Sequence, residues 1–144
     1  MSKDLTAANS IIQLSIPDVF PAPQQLQGYS ADDIFDTEDQ EGIQTQMGVD
    51  GELAAGFIFV ETKQSFTLMP TSDSNDVFDQ WRAAEKAALS VFPASAVIIL
   101  PALGRKWHLT RGFLTRYKPI PGAGKILKPR TFGITWNNNS GAPS

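Results

Sequence analysis

Along most of the chain, apolar and polar residues alternate in short runs, and one longer stretch repeats at helical spacing. Asn9-Ser-Ile-Ile-Gln-Leu-Ser-Ile16 places Ile12, Leu14 and Ile16 on one side, which predicts a first strand. Pro17, Pro21 and Pro23 end it and stiffen the connection. A short strand is expected over Leu26 to Tyr29. Gly42 to Met47 alternates again, the pattern of a strand with one buried face and one solvated face that carries Gln44 and Gln46. Gly48-Val-Asp-Gly51 follows as a turn, because glycine and aspartate reach backbone angles that β-branched residues resist. Phe57-Ile-Phe-Val60 and Ser65 to Met69 then read as a hairpin around Thr62-Lys-Gln64, and Pro70 ends it.

The helix announces itself through Ser72, Asp73 and Ser74, whose oxygens suit the free N–H groups of a first turn, and through Asp76 and Asp79, which suit its dipole. Val77, Phe78, Trp81, Ala84, Ala88 and Leu89 share a face at spacings of three and four, while Asp79, Arg82 and Lys86 point the other way. One amphipathic helix cannot bury itself, so a sheet or a neighbouring chain must cover it. Ala94 to Leu100 predicts a strand covered on both faces, closed by Pro101 and Gly104. From Lys106 to Lys118, Trp107, Leu109, Arg111, Phe113, Thr115 and Tyr117 occupy odd positions and most of the bases occupy even ones. A stacking platform for single-stranded nucleic acid needs aromatics and bases on one exposed face, so a core with a charged exterior is favoured unless a bulge at Gly112 shifts the register. Pro119 to Gly124 is a loop. Lys128 to Trp136 makes a last strand with Phe132, Ile134 and Trp136 inward and Thr131, Gly133 and Thr135 outward, and residues 1–8 and 137–144 are expected to be flexible ends.

With 144 residues and 42% apolar content the chain is long enough for one domain with its own core. It contains no cysteine, so disulfide scaffolds and thiol-based metal sites are out. No signal peptide or membrane-length apolar run is present, and a soluble protein made in a cytoplasm is expected. Charge changes the picture more. No lysine or arginine lies between Asp4 and Thr62, where acids accumulate, and no acid follows Lys86. The net charge of -3 conceals this split. Either the two halves neutralise each other within one subunit, or an acidic surface on one copy meets a basic surface on the next, which would guide register and association rate.

Candidate chemistry is thin. The acidic run Asp32, Asp33, Asp36, Glu38, Asp39 and Glu41 lacks the alternating ligands and central glycine of an EF-hand, and reads as a solvated or interface loop. His108 is the only histidine, no Gly-x-Ser-x-Gly elbow is present, and Gly124-Lys125 lacks the remainder of a phosphate-binding loop. No enzyme activity, cofactor or metal is expected. A nucleic-acid-binding module that uses the basic half, and a barrel for a small apolar ligand, are the readings from other functional classes.

From Ile43 onward the chain resembles the tail tube proteins of contractile-tailed bacteriophages. The resemblance lies in Gly48-Val-Asp-Gly-Glu52, the strand pair through Met69, and Ser72-Asp-Ser-Asn75 opening a helix that carries Trp81. It implies a mainly β fold, a β-sandwich or partly open barrel with one flanking helix, assembled as hexameric rings that stack into a tube. Each subunit would give strands to a barrel around a lumen, through which double-stranded DNA passes without specific binding. The implied partners are further copies of the chain, a tail sheath protein, a tape measure protein and a baseplate. The implied location is the virion tail, assembled in the host cytoplasm, and secretion-needle rings share the fold. A DNA conduit should not neutralise phosphates, because each one neutralised adds affinity. Gln44, Gln46, Asp50 and Glu52 are therefore the lumen-facing candidates. On the between-copies reading of the charge split, the acidic run is the candidate for one side of the contacts between subunits, and Arg105, Lys106, Arg116, Lys118, Lys128 and Arg130 are the candidates for the other.

Overall fold

In the computed structural model, which describes residues 10–26 and 35–143, alternation has produced strands and helical spacing one helix. In chain order the elements are β1 (Ile11–Ser15), β2 (Gln24–Gln25), β3 (Phe35–Thr37), β4 (Ile43–Met47), β5 (Leu53–Phe57), β6 (Thr62–Leu68), α1 (Asn75–Ala88), β7 (Ala94–Leu100), β8 (Arg105–Arg116) and β9 (Arg130–Pro143). Seven strands form one sheet in the order β2-β1-β7-β8-β9-β6-β3, and every neighbouring pair is antiparallel. Its outermost strands are very short, which limits the open edge available for unwanted pairing. β4 and β5 form a separate two-stranded sheet.

One face of the large sheet is the core. Ile12, Leu14, Phe66, Leu68, Ile98, Phe132, Ile134 and Trp136 are buried there, and α1 covers it with Val77, Phe78 and Trp81. Phe78 stacks on Phe132 at 4.2 Å between ring centres, nearly parallel, and Trp81 Nε1 donates to the Phe92 carbonyl at 2.9 Å. The sheet curls rather than lying flat. Phe35 and Thr37 of β3 share a cleft with Ile98 and Leu100 of β7, although three strands separate β3 from β7 in the sheet order. The fold is mainly β with one helix, a partly open barrel that does not close.

Several elements depart from the reading of the sequence. The hairpin lies one turn earlier than expected. β4 and β5 close around Gly48–Gly51, residues 58–61 form no strand, and Thr62-Lys-Gln64 is the start of β6 rather than a turn. The apolar run Phe57 to Val60 misleads because only Phe57 belongs to β5 and the other three residues lie in the linker to β6. The strand expected over Leu26 to Tyr29 is instead Gln24–Gln25, and residues 27–29 lie outside the described set. Phe35–Thr37, expected in a loop, forms an edge strand beside β6.

On α1, Leu89 is 92% exposed and adopts φ 52° at the C-cap, while Ala88 is exposed as well. Glu85 is buried in their place, where it accepts the Phe92 N–H at 3.0 Å. Asp79 and Arg82, expected outward, both reach protein partners. In β7, Ser95 is exposed and Val97 half-buried, so only the core face is fully covered.

β8 breaks its own alternation. Leu109 faces Ala96 and Gly112 faces Ala94, so two residues of β8 oppose one of β7, and Arg111 takes φ 49° at this bulge. Leu109 then shares the core side with Leu114 rather than with Phe113. Gly112 is required by close approach, since a Cβ there would lie 2.2 Å from the Trp136 ring. β9 does not fray after Trp136. Residues 137–143 continue the strand, and residues 138–143 pair with Arg105–Thr110, contrary to a loose tail, because the long β8 offers them a partner. The expected N-terminal arm lies outside the described residues.

Candidate functional site

Ladder pairing gives the β4–β5 hairpin two unlike faces. Ile43 faces Phe57, Thr45 faces Ala55 and Met47 faces Leu53; Gln44 faces Gly56 and Gln46 faces Ala54. Side chains alternate across a strand, so one face is apolar and the other is neutral, polar and small. Among the described residues nothing covers either face. Ile43, Met47, Leu53 and Phe57 are 54%, 62%, 62% and 71% exposed, and Phe59 beside them is 94% exposed. The expectation of a buried face on Gly42 to Met47 therefore fails within one subunit, because neither strand pairs with the main sheet. At the tip Gly51 adopts φ 85°, Gly48 N–H donates to the Glu52 carbonyl at 2.8 Å, and Asp50 Oδ1 accepts the Glu52 N–H at 3.1 Å. Asp50 and Glu52 thus sit at the turn, away from the root, with Gln44 and Gln46 on the polar face.

The root of the hairpin is held by amides that the sequence did not single out. Gln40 Nε2 donates to the Glu61 carbonyl at 3.1 Å and to Thr62 Oγ1 at 2.9 Å, and Asn139 Nδ2 donates to the same hydroxyl at 2.6 Å. Glu38 N–H donates to the Lys63 carbonyl. Gln40 is a lone amide between Asp39 and Glu41, and Asn139 ends a run of three asparagines; neither pattern by itself points to the other.

Asp36, Glu38, Asp39 and Glu41 are exposed along this approach. Asp32 and Asp33 lie outside the described residues. Among the described residues, the ion pairs are Lys63–Glu61, Arg82–Glu85 and Arg130–Asp79. None joins an acid of residues 36–52 to a base of residues 105–128. Asp36 and Glu38 do line a polar groove on the outer sheet face together with Lys63 and Arg116.

The basic candidates separate into groups. Arg105 and Lys106 begin β8, Arg116 ends it, and Lys118 and Lys128 flank the loop leading to β9. Arg130 is a correction. It is buried, its guanidinium is 2.8 Å from Asp79 Oδ1, and it donates to the Lys118 carbonyl at 2.8 Å. It also sits 4.8 Å over the Phe132 ring, so it serves the interior of its own subunit. Tyr117 donates its hydroxyl to Asp79 as well. Hydrogen bonds from the Arg130 guanidinium hold the Asp79 carboxyl below its ordinary value against the opposing effect of burial, and burial raises the Tyr117 phenol. Basic spacing alone cannot distinguish such an arginine from its surface neighbours. His108 is exposed on β8, and no described cluster of His, Asp or Glu has the makings of a metal site.

The described residues thus combine a curled sheet, one covering helix and an exposed two-stranded arm. Solved structures share the fold over nearly the whole chain. A chain of the anti-feeding prophage baseplate is 14% identical with a TM-score of 0.59, covering 99% of this chain and 98% of that one. A chain in the structure of the same particle's tube-terminating cap is 10% identical with a TM-score of 0.59, covering 100% and 94%. A chain in the sheath/tube terminator structure of an extracellular contractile injection system is 9% identical with a TM-score of 0.57, covering 99% of each. No curated protein sequence matches the chain. The family described as "Tail fiber protein gp32" matches residues 3–140, and the chain belongs to that family. It is a phage-tail-like structural protein.

Proposed function

We propose that the chain is the ring-forming subunit of an inner tail tube, that rings of it stack, and that their lumen conducts the genome without a catalytic step. The observation that carries this reading is the hairpin. A lone two-stranded hairpin is marginal in water. Contiguous apolar surface of this kind marks an interaction site. Seating Ile43, Met47, Leu53 and Phe57 on a neighbour covers the apolar face and leaves Gln44 and Gln46 on the free one. A surface of amides with acids at its turn suits a bore that must release DNA. Six-fold ring symmetry and contacts with a sheath, a tape measure protein and a baseplate belong to the same proposal.

Electron microscopy of the purified protein, alone and with a tail-tip nucleator, tests it. Rings or tubes with a central hole are expected, and a strictly monomeric species under every condition would overturn it. The family description favours a second reading, a subunit of the fibre; solid elongated particles without a bore would support that instead.

A further inference from the structure

The two ends of the sheet carry opposite chemistry. β6 and β9 run from the pair Thr62–Trp136 to the pair Leu68–Arg130, which sets the ends about 20 Å apart at the usual rise per strand residue. The hairpin and its acidic approach leave the Thr62 end, with Glu38, Asp39, Glu41, Asp50, Glu52 and Glu61 all exposed. Residues 117–129 leave the Arg130 end, joining β8 to β9. That loop contains Lys118, Lys125 and Lys128 and no acid, and it is rigidified by three prolines and by backbone bonds from Gly124 N–H to Ile126 and from Lys128 N–H to Gly122. It also exposes aliphatic groups, with Ile120 at 73% and Ile126 at 81%.

We propose that the lysine-isoleucine loop of one copy is the docking site for the acidic hairpin end of a second copy. The inference rests on the assembly reading above and names its surfaces. The hairpin and its approach on one side, and the loop on the other, each combine uncovered apolar side chains with a predominance of one charge, Lys63 being ion-paired to Glu61, so the two complement each other in both respects. Neither complements itself. A contact between unlike ends of identical molecules is heterologous, and repeats from copy to copy until it closes or extends. Asp73 and Asp76, before and within the first turn of α1, are exposed acids, so the positive charge is that of the loop itself. Arg105 and Lys106 lie at the hairpin end but on β8, separated from β6 and its acidic linker by β9. Opposite charge at the two ends selects this pairing over like-to-like contact.

A charge-swap experiment tests the inference. One variant carries Lys118→Glu, Lys125→Glu and Lys128→Glu; the other carries Glu38→Lys, Asp39→Lys and Glu41→Lys. All six side chains are exposed, and circular dichroism and melting should match the parent. By sedimentation velocity each variant alone should need at least about tenfold more protein than the parent to assemble, and an equimolar mixture should recover larger species that contain both. A misfolded variant could not be rescued in this way. If the parent assembles and both variants do so equally well alone, or if folded variants stay dispersed when mixed, the docking proposal is wrong while the tube reading stands. A parent that never assembles overturns both.

Discussion

Replacing Phe57 with threonine should separate assembly from folding. Threonine retains strand preference, so the hairpin backbone is kept while its largest apolar group is removed. A phenylalanine side chain carries about 200 Å² of surface. At 71% exposure, seating Phe57 on a neighbour would take about 140 Å² of it out of water, nominally about 3.5 kcal/mol at 25 cal/mol per Å². Association recovers only part of such a figure, since side-chain ordering and imperfect fit oppose it, leaving about 2 kcal/mol per contact. That corresponds to about a 30-fold weaker subunit contact. Within the subunit Phe57 touches Phe59 edge-on, with ring centres 5.1 Å apart, and little else is at stake, so the dispersed protein should change by less than about 0.5 kcal/mol. Sedimentation velocity across a concentration series reads the first quantity and thermal melting of the dispersed subunit the second. Assembly at parental concentrations would refute the role given to the apolar face. A dispersed subunit melting many degrees lower would show that Phe57 belongs to the body instead.

The Asp79–Arg130 contact should govern acid stability. Because the Asp79 carboxyl is held low in the folded state, the contact contributes fully above about pH 4 and is lost as pH falls through the lowered folded value. Asp79→Asn should cost about 1–2 kcal/mol at pH 7, less than a fully buried pair because the carboxylate is 38% exposed, and should flatten the fall in stability with acid, measured by urea unfolding at several pH values. Leu89, exposed and left-handed at the helix end, should rank glycine above leucine above valine in melting temperature, with the glycine variant gaining about 0.5 kcal/mol and the valine variant losing about 1 kcal/mol.

Much of the body was legible because its residues satisfy local and global demands at once. Ile12, Leu14 and Ile16 alternate and are all buried, and Val77, Phe78 and Trp81 share a helical face and are all buried. The misses occurred where one rule was asked to do two jobs. Period two is reliable only while the ladder is continuous, and the bulge at Arg111 moves Leu114 into the core and Phe113 out of it. Apolar density predicts a strand at Phe57 to Val60, whereas β5 is built from Leu53-Ala-Ala-Gly-Phe57, residues with modest strand preference that owe their pairing to the Gly48–Gly51 turn. Among the candidate residues, charge placed most of the bases and acids on the surface. It could not reveal that Arg130 is held by an aspartate distant in the chain, because that contact depends on where α1 lies across the sheet.

β4 and β6 show why a subunit can carry an alternation its own core does not use. Both have residues of period two, yet Phe66 and Leu68 of β6 are buried and Ile43 and Met47 of β4 are not. β6 is flanked by β9 and covered by α1, so its apolar side is satisfied as soon as one chain folds. β4 has only β5, whose apolar residues line the same face and add to the uncovered area rather than reducing it. Selection for solubility alone would replace Ile43, Met47, Leu53 and Phe57 with polar residues at little cost to the sheet. Their presence on one face, opposite a face of glutamines and small residues, is what the proposed assembly would use, since a second molecule seated there would supply the burial missing from the subunit.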